Sequence, residues 1–424
     1  MGFPKLKGMD NDIPIYQPHK LSDGWYNHAA MLYYHNGTIT VSWKNAPETE
    51  DTPGQRVLYS QSSDGVQWSK AALLFPNMST NAVPVAQFAG PFAVLNGKLY
   101  ASATPALVND GDAQGGQFCL WPDGLDPRNC ATPDRPGTQP SGLLMLREVG
   151  GLDLQGGGAS PPYLGDVFWA SHNPPAILAP AATANRIKTP NQMDAATQAD
   201  LKKLVGNGAG AGFTPPCAAP SSGTLKCEGC LGGCQEYDAP GTKGLGLANE
   251  RTHYPVPSST PDSIEDVILF RAHSNTLWAS TRTHRAPGGT PGTPGNWSQV
   301  VETTIPNDNS NLNAGVLPDG NGVFLLSNAA PAKVRDPLTI SLSADGYNFS
   351  KCMTVQTCTA MAGGKSNCKA RQPGGVNKNV GPSYPQGLSV VHPAAEAVQG
   401  LYVVATNNKE DVVITRIPWA ALAV

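Results

Sequence analysis

Two segments of the sequence carry side chains that could move protons. They are Tyr26-Asn27-His28 and Arg251-Thr252-His253-Tyr254, and each lies at the start of a short strand-like run. Histidine takes up a proton near neutral pH, and tyrosine can donate one. Arginine could neutralise an anionic group of the substrate. We therefore predict four catalytic residues for an acid–base reaction: His28, His253, Tyr254 and Arg251.

Further polar side chains near the starts or ends of other strand-like runs could bind the same ligand. The predicted substrate-binding residues are Asn27, Gln87, His172, Arg271, Asn311, Asn313, Tyr384 and Gln386. The net charge of −3 gives the chain no general attraction to nucleic acid or to an anionic membrane. An anionic ligand must therefore be held by a local group of cations, and we expect neither nucleic acid nor membrane as a partner.

The composition indicates which elements position these residues. The 424 residues include 46 glycines and 39 prolines, and only 14% are charged. A coiled coil or charge-rich helical protein does not tolerate so many helix breakers. Apolar residues at 40% suffice for a packed core. We predict an all-β chain, with one good helix candidate at residues 193–205 that Asp194 could cap.

Several runs follow one pattern, in which a turn ending in Gly or Asp precedes a strand. Examples begin at Asn36-Gly37, Asn96-Gly97, Asp266, Asn321-Gly322 and Gly400. A four-stranded unit repeated every 40–60 residues is typical of a β-propeller. In that fold the innermost strand of each blade starts near the central axis, so residues far apart in sequence can meet there. We predict one propeller domain over residues 1–424, closed by pairing between the two chain ends.

A second repeat supports the propeller. Residues 60–68 and 341–349 share the pattern Ser-x-Asp-Gly-x-x-aromatic, centred on Asp64 and Asp345. The Asp can accept backbone N–H bonds within a hairpin turn, the Gly can adopt positive φ, and the aromatic ring can pack under the turn. The pattern resembles the Asp box of sialidase-like propellers, a structural motif that carries no information about substrate.

The stretch within about residues 105–245 interrupts this rhythm and holds six of the nine cysteines. We predict long insertions between blades that are stapled by disulfides. A zinc site built on Cys227, Cys230 and Cys234 is the alternative, with Cys217 as the nearest fourth ligand. Disulfides fit a secreted chain better, and the odd number of cysteines leaves at least one thiol unpaired.

The chain is predicted to be secreted. Four N-x-Ser/Thr sequons occur, at Asn36, Asn77, Asn296 and Asn348, and no run of eighteen apolar residues could span a bilayer. The first residues lack the apolar stretch of a signal peptide. We expect a mature, glycosylated extracellular chain whose signal has been removed.

Several stretches together resemble one known family. They are Tyr26-Asn27-His28, Trp43-Lys44-Asn45, the run Glu50 to Ser60, Leu317-Pro318-Asp319-Gly320, Arg335-Asp336-Pro337-Leu338, Tyr384-Pro385 and Asn408-Lys409-Glu410-Asp411. As a set they resemble the sialidase-like seven-bladed propellers that remove terminal L-rhamnose from glucuronic acid on arabinogalactans such as gum arabic. That family includes rhamnose–glucuronate lyases, some of them fungal, and related α-L-rhamnosidases. The resemblance extends from about residue 20 to 418 and skips the inserted middle.

The resemblance implies a seven-bladed propeller that acts on an acidic plant polysaccharide. A lyase needs a group that neutralises the uronate carboxylate, a base that takes the C5 proton and an acid that protonates the leaving oxygen. Arg or Asn, His and Tyr can fill these three roles. Elimination would release rhamnose and leave a 4,5-unsaturated uronate. The alternatives are an α-L-rhamnosidase on the same fold, which normally needs two carboxylates, and a carbohydrate-binding propeller without catalysis.

No cofactor is required by this chemistry, and no metal ligand is predicted among the site residues. Analogy with related propellers allows a structural calcium ion in the central channel of the propeller, although the sequence contains no recognisable calcium-binding loop. We expect the protein to be a monomer.

Overall fold

The computed structural model describes residues 3–9, 12–50, 52–79, 85–108, 118–119, 145–151, 163–170, 179–205, 247–256, 263–272, 275–285, 298–308, 310–329, 335–358, 371, 379–391 and 398–422. Within these segments the chain is almost entirely β, with 21 strands and two short α-helices. The prediction of an all-β chain is confirmed.

The described strands form five antiparallel sheets, numbered here in chain order. The first sheet contains β2 (Tyr26–His35), β3 (Thr38–Ala46), β4 (Arg56–Ser62) and β5 (Ala72–Phe75). The second contains β6 (Val85–Leu95), β7 (Lys98–Val108), β8 (Phe118–Cys119), β9 (Met145–Val149) and β10 (Leu164–Trp169). The third contains β11 (Leu247–Pro255), β12 (Ser263–Ala272), β13 (Thr276–Arg285) and β14 (Val301–Pro306).

The fourth sheet contains β15 (Asn313–Val316), β16 (Val323–Ser327), β17 (Leu338–Ser343) and β18 (Lys351–Gln356). The fifth combines both ends of the chain: β19 (Pro382–Val390), β20 (Gly400–Asn407), β21 (Asp411–Ile417) and the N-terminal β1 (Ile13–Tyr16). The helices are α1 (Ala179–Ala184) and α2 (Ala195–Val205). As predicted, Asp194 caps α2, because its Oδ1 accepts the backbone N–H of Thr197 at 2.9 Å.

Local turn chemistry explains the hairpins. Asn36 and Gly37 both have positive φ, 46° and 81°, the conformation that a two-residue turn between twisted strands requires. The two Asp boxes also form as predicted. Asp64 Oδ1 accepts the N–H groups of Val66 and Gln67, and Asp345 Oδ1 accepts those of Tyr347 and Asn348, at 2.7–2.8 Å.

Neighbouring sheets share their hydrophobic cores, which fixes their order in space. Four hydrophobic cores each join a pair of sheets. In spatial order they join the third sheet to the fourth, the fourth to the fifth, the fifth to the first and the first to the second. Trp43 on β3 and Trp169 on β10 are the largest fully buried side chains among the described residues. Burying an aromatic side chain of this size removes roughly 150–250 Å² of surface from water. The five sheets therefore pack face to face as consecutive blades.

The N-terminal segment closes the arrangement at two places. Ile13 of β1 pairs with Ile414 of β21, which confirms the predicted pairing between the chain ends. Farther upstream, Leu6 donates its N–H to the carbonyl of Thr354 on β18, and the N–H of Thr354 is bonded to Pro4. Leu6 is buried in the core between the fourth and fifth sheets. The segment thus joins two blades.

The innermost strands are β2, β6, β11, β15 and β19, and neighbouring ones touch: β2 contacts β6 and β19, and β15 contacts β11 and β19. Four of them carry a register shift close to their first residues. In β2 the shift follows His28, where Ala29 has φ 51°, and in β19 it includes Tyr384, which has φ 56°. Bulges of this kind re-aim side chains and are common beside functional sites.

Two parts of the predicted architecture are not confirmed. The described residues form five sheets, so the expected number of seven blades has no support in them. The disulfide-stapled insertions within about 105–245 lie largely outside the described residues, as does the Cys227–Cys234 cluster. Cys352 on β18 is a free, half-buried thiol, in agreement with the odd number of cysteines. That the chain is one domain stays a prediction.

Candidate active site

Strand direction defines two ends of the sheets. Tyr26, the first residue of β2, pairs with Ala46, the last residue of β3, so β2 begins at the end where the β3–β4 connection lies. We call this the mouth end. The β2–β3 hairpin and the Asp-box turn between β4 and β5 lie at the opposite end, called the turn end. Pro382, the first residue of β19, pairs with Asn407 of β20 at the mouth end.

His28 and Tyr384 meet at the mouth end. Each is the third residue of its innermost strand, and their ring centroids lie 3.9 Å apart. His28 is 1% exposed, and its Nδ1 hydrogen-bonds Thr406 Oγ1 on β20 at 3.1 Å. Its Nε2 is buried and has no hydrogen-bond partner among the described residues. One ring nitrogen is therefore fixed by the fold, and the other is left for a substrate.

Arginines from two other sheets approach Tyr384. Arg271 of β12, which is half-buried, donates from its guanidinium to the Tyr384 hydroxyl at 2.9 Å. Arg335, just before β17, lies with its Cζ 5.2 Å from the centre of the same ring. Side chains of the third, fourth and fifth sheets thus converge on one phenol. Positive charge placed there stabilises negative charge that develops on the hydroxyl or on a bound carboxylate.

A buried ion network lies beside this pair. The Glu50 carboxylate accepts from Lys44 Nζ at one oxygen and from Lys409 Nζ at the other, both at 2.8 Å. Both ammonium groups lie over the Tyr26 ring, at 5.8 and 5.7 Å from its centre. Lys44 also lies 5.0 Å from the centre of the Phe88 ring on β6. These residues come from the β3–β4 connection, β3, the β20–β21 turn, β2 and β6.

The environment determines the protonation of these groups. Burial, followed by the positive charge of Lys409, holds the pKa of His28 well below its ordinary value, so the imidazole is neutral at neutral pH. Burial opposes ionisation of Glu50, but the two lysines outweigh it and hold its pKa below the usual range. Burial lowers the pKa of Lys409 to about 8, although Glu50 counteracts this.

The turn that presents Lys409 is strained and tightly held. Asn408 and Lys409 both have positive φ, 54° and 53°, a conformation that costs an L-residue roughly 1–2 kcal/mol. Asn27 donates its backbone N–H to the Lys409 carbonyl and its side-chain amide to the Glu410 carbonyl, both at 2.7 Å. Asn408 exchanges two further hydrogen bonds with Gly381.

Asn27 therefore has a structural role, contrary to its predicted contact with substrate. It is fully buried, and its Oδ1 accepts from Trp43 Nε1 at 2.9 Å and from Asn45 Nδ2 at 2.8 Å. With the donations to Glu410 and to the Gly24 carbonyl, every hydrogen-bonding position of the side-chain amide is used.

Replacing Asn27 with alanine is expected to lower the free energy of unfolding by about 3 kcal/mol, since the partners left buried and unpaired each cost about 1–3 kcal/mol. Asn311→Ala is the matched control, because Asn311 is half-buried and, among the described residues, its Oδ1 accepts only the N–H of Leu312, at 2.8 Å. Denaturant unfolding of both variants measures the difference. Equal losses in the two variants would contradict the assigned role of Asn27.

Contrary to the prediction, His253 and Tyr254 do not lie at the mouth end. β11 begins at Leu247, which pairs with Ala272 at the mouth end, and ends at Pro255 opposite Asp266. His253 is half-exposed near the turn end, with Nε2 3.3 Å from Asp266 Oδ1. The buried Tyr254 hydroxyl donates to the carbonyl of Gly346, in the second Asp box, at 2.9 Å.

The other predicted residues have different surroundings. Arg251 pairs in register with Phe270, next to Arg271, and its side chain lies outside the described residues. Gln87 is fully buried at the third position of β6 and bonds the Pro76 carbonyl. Asn313 Oδ1 accepts the N–H of Gly387 at 2.9 Å, which links β15 to β19. Gln386 is half-buried on β19 beside the bulge, and His172 lies outside the described residues.

The structure therefore brings together His28, Tyr384 and Arg271 from the predicted set and adds Lys44, Glu50, Lys409 and Arg335. These added residues occur in the stretches that carry the family resemblance, but none of them is among the predicted site residues. No local signal in the sequence distinguishes these charged residues from solvated ones, because the groups that bury them come from sheets far apart in sequence.

Within the described residues, no group of three or more His, Cys, Asp or Glu side chains could hold a metal ion. The structural calcium ion allowed by analogy stays a prediction. No helix in the described segments is long and apolar enough to cross a membrane.

Comparison with known families agrees with this fold. A family model described as a BNR repeat-like domain matches residues 247–393. A second, described as a BT_1020-like, N-terminal beta propeller, matches residues 17–88. No curated protein matches the chain in sequence. The two matched regions contain the mouth-end residues His28, Arg271 and Tyr384.

Solved structures give the same result. A sialidase structure matches 98% of this chain at 19% identity with a TM-score of 0.62, and the match covers 33% of the sialidase chain. This chain thus spans about a third of the length of that relative. A Trypanosoma rangeli sialidase matches 99% of this chain and 59% of its own at 11% identity, but its TM-score of 0.45 is too low to carry an argument. The chain has a sialidase-like β-propeller fold.

Proposed function

We propose that the protein is a secreted, carbohydrate-active propeller enzyme that cleaves a uronate-containing glycan by β-elimination. The observation that carries the proposal is the meeting of a neutral His28, whose Nε2 has no partner among the described residues, with Tyr384, whose hydroxyl is bonded to Arg271. The cations around this pair supply the local positive charge that an anionic sugar needs in a chain of net charge −3.

The residues divide the reaction among them. Arg271, half-buried at the mouth, and Arg335 behind the Tyr384 ring neutralise the uronate carboxylate, which makes the C5 proton acidic enough to remove. His28 takes that proton at Nε2, since the imidazole is neutral at neutral pH. Tyr384 then protonates the leaving glycosidic oxygen. The C4–O4 bond breaks as the C4–C5 double bond forms.

The close pairing of the two rings suits a glucuronate substrate. In glucuronate the C5 hydrogen is axial and O4 is equatorial, so the two are gauche and can be reached from one side of the sugar. With ring centroids 3.9 Å apart, His28 and Tyr384 act from a single side. Because Nε2 is buried, side chains at the mouth have to move before the sugar can reach it.

Hydrolysis is less well supported by the same residues. A glycoside hydrolase normally uses two carboxylates about 5–9.5 Å apart. Among the charged groups that shift the pKa of His28, the one carboxylate is Glu50, and both of its oxygens are bonded to lysine ammonium groups. A carboxylate held in this way cannot act as nucleophile or base without losing two ion pairs.

For the substrate we propose terminal L-rhamnose on glucuronic acid of arabinogalactan-type glycans. The support is the family resemblance of the motif set, which includes the Lys44, Arg335 and Lys409 segments that converge at the mouth. We also propose that the protein is secreted and monomeric.

The test is to incubate the protein with gum arabic and follow ultraviolet absorbance of the 4,5-unsaturated uronate and free rhamnose in parallel. We expect both signals to rise together in equal amounts. Rhamnose without absorbance would mean hydrolysis and would overturn the elimination. The absence of both signals, with glycan binding retained, would instead indicate a binding propeller.

A further inference from the structure

Lys409 occupies a position that is unfavourable in two respects. Its side chain is almost completely buried, at 2% exposure, and its backbone has φ 53°. A lysine on an unconstrained turn would avoid both conditions. The surrounding structure imposes them through the hydrogen bonds of Asn27 and Gly381 to this turn. Strain retained in this way is concentrated at functional sites.

The Lys409 ammonium is already engaged by side chains of the site. It is bonded to Glu50 Oε2 at 2.8 Å and lies 5.7 Å from the centre of the Tyr26 ring and 5.9 Å from that of Tyr384. Its counterion is shared with Lys44, which is bonded to the other carboxylate oxygen. One carboxylate therefore fixes the positions of two ammonium groups, and the network keeps a net positive charge.

This charge faces the imidazole of His28. The charged groups around His28 are Lys409 on the β20–β21 turn, Lys44 on β3, Glu50 on the β3–β4 connection and Arg335 before β17. Tyr26 and Tyr384 are the titratable rings in contact with it. Among the charges, Lys409 has the largest effect on the pKa of His28, and it lowers that pKa. Three cations against one carboxylate disfavour a second positive charge on the imidazole.

We propose that Lys409 is a positioning residue of the site, whose ammonium group, fixed by Glu50 and by its strained turn, keeps His28 in the neutral form that can accept a proton in mildly acidic solution. The inference rests on the proposed function, since it assigns a purpose to a neutral His28. It adds that a residue that does not touch the substrate lowers the acid limit of activity beyond the effect of burial alone.

The experiment measures the titration of His28 directly, by NMR of protein labelled at histidine Cε1, with the His28 signal assigned from a His28→Gln variant. In the unmodified protein the signal should keep its neutral position at neutral pH, and its titration midpoint should lie well below that of an ordinary histidine. In Lys409→Met the midpoint should rise by about one pH unit or more, because a nearby like charge has been removed. The pH profile of kcat/KM should show its acid limb shifted upward by the same amount.

Two further variants complete the test. Lys98→Met is the control: Lys98 is half-exposed on the second sheet and pairs with Glu148 at 3.0 Å, so neither readout should change. Lys44→Met removes the other ammonium from a regular strand, remains informative if Lys409→Met fails to fold, and should raise the midpoint by a smaller amount. An unchanged His28 midpoint in the folded lysine variants would overturn the inference.

The two proposals fail separately. A raised midpoint in a protein without activity on the glycan would support the role of Lys409 and refute the enzymatic function. Activity on the glycan, together with an unchanged His28 midpoint in Lys409→Met, would support the enzymatic function and refute the role of Lys409.

Discussion

Replacing His28 with glutamine is expected to lower kcat on the glycan about 10²–10⁴-fold, with little change in KM, because the variant has no base to take the C5 proton. Glutamine can still hydrogen-bond Thr406 Oγ1, which the imidazole does at 3.1 Å, so the local fold should be retained. Steady-state kinetics together with thermal unfolding separate lost chemistry from lost structure.

His253→Gln is the matched control. His253 is half-exposed at the turn end, where it pairs with Asp266 at 3.3 Å, and it should tolerate the change with activity within about twofold. A large loss of kcat in His253→Gln, together with an active His28→Gln, would place the chemistry at the turn end and refute the site described for the mouth.

Tyr384→Phe is expected to reduce kcat about 10²-fold or more, because the hydroxyl that protonates the leaving oxygen is missing. The ring and its contact with His28 at 3.9 Å remain, so KM should change little. The loss should be smaller for substrates with a good leaving group, which needs less help from an acid. Rates on an aryl glycoside and on the natural glycan, compared in the same variant, measure this.

Tyr254→Phe provides the comparison for the second tyrosine. The Tyr254 hydroxyl is buried and bonded to the Gly346 carbonyl at 2.9 Å. Its removal should lower the free energy of unfolding by about 1 kcal/mol and leave kcat unchanged. If Tyr254→Phe lost activity while Tyr384→Phe kept it, the assignment of the acid would be wrong.

The fold follows from the sequence where local chemistry decides it. Asn36-Gly37 between two strand-like runs favours a two-residue hairpin turn with positive φ, and the turn forms as predicted. The same holds for Asp64 and Asp345, whose partners lie within three residues. The pairing of β1 with β21 also follows once a closed propeller is assumed. The number of blades does not follow, since the sequence pattern of the repeat is interrupted within about residues 105–245.

The site was predictable only in part. His28 and Tyr384 were identified because each lies at the start of an innermost strand. His253 and Tyr254 were misplaced because β11 begins at Leu247, four residues before the Arg-Thr-His-Tyr segment. A shift of that length moves a residue from one end of a blade towards the other. No local signal fixes where a strand begins when turn residues do not precede it directly.

The ion network was missed for a different reason. Glu50 and Lys409 are 359 positions apart in sequence, and nothing near either residue indicates the other. Charged residues in turns are usually solvated, so their burial becomes apparent only when the first and fifth sheets come together. The partners of Asn27 are equally hidden, since its side-chain amide bonds the carbonyls of Glu410 and Gly24 and accepts from Trp43 and Asn45.

The double attachment of the N-terminal segment, to β21 and to β18, has a consequence for biosynthesis. A ribosome produces β1 and the His28 strand long before β19–β21, which supply Tyr384 and Lys409. Until then the backbone hydrogen-bonding groups of β1 have no partner strand. The pairings of the N-terminal segment with β18 and β21 are among the longest-range contacts in the chain. Ring closure and assembly of the site are therefore one late event, and a nascent chain halted before β19 would carry neither.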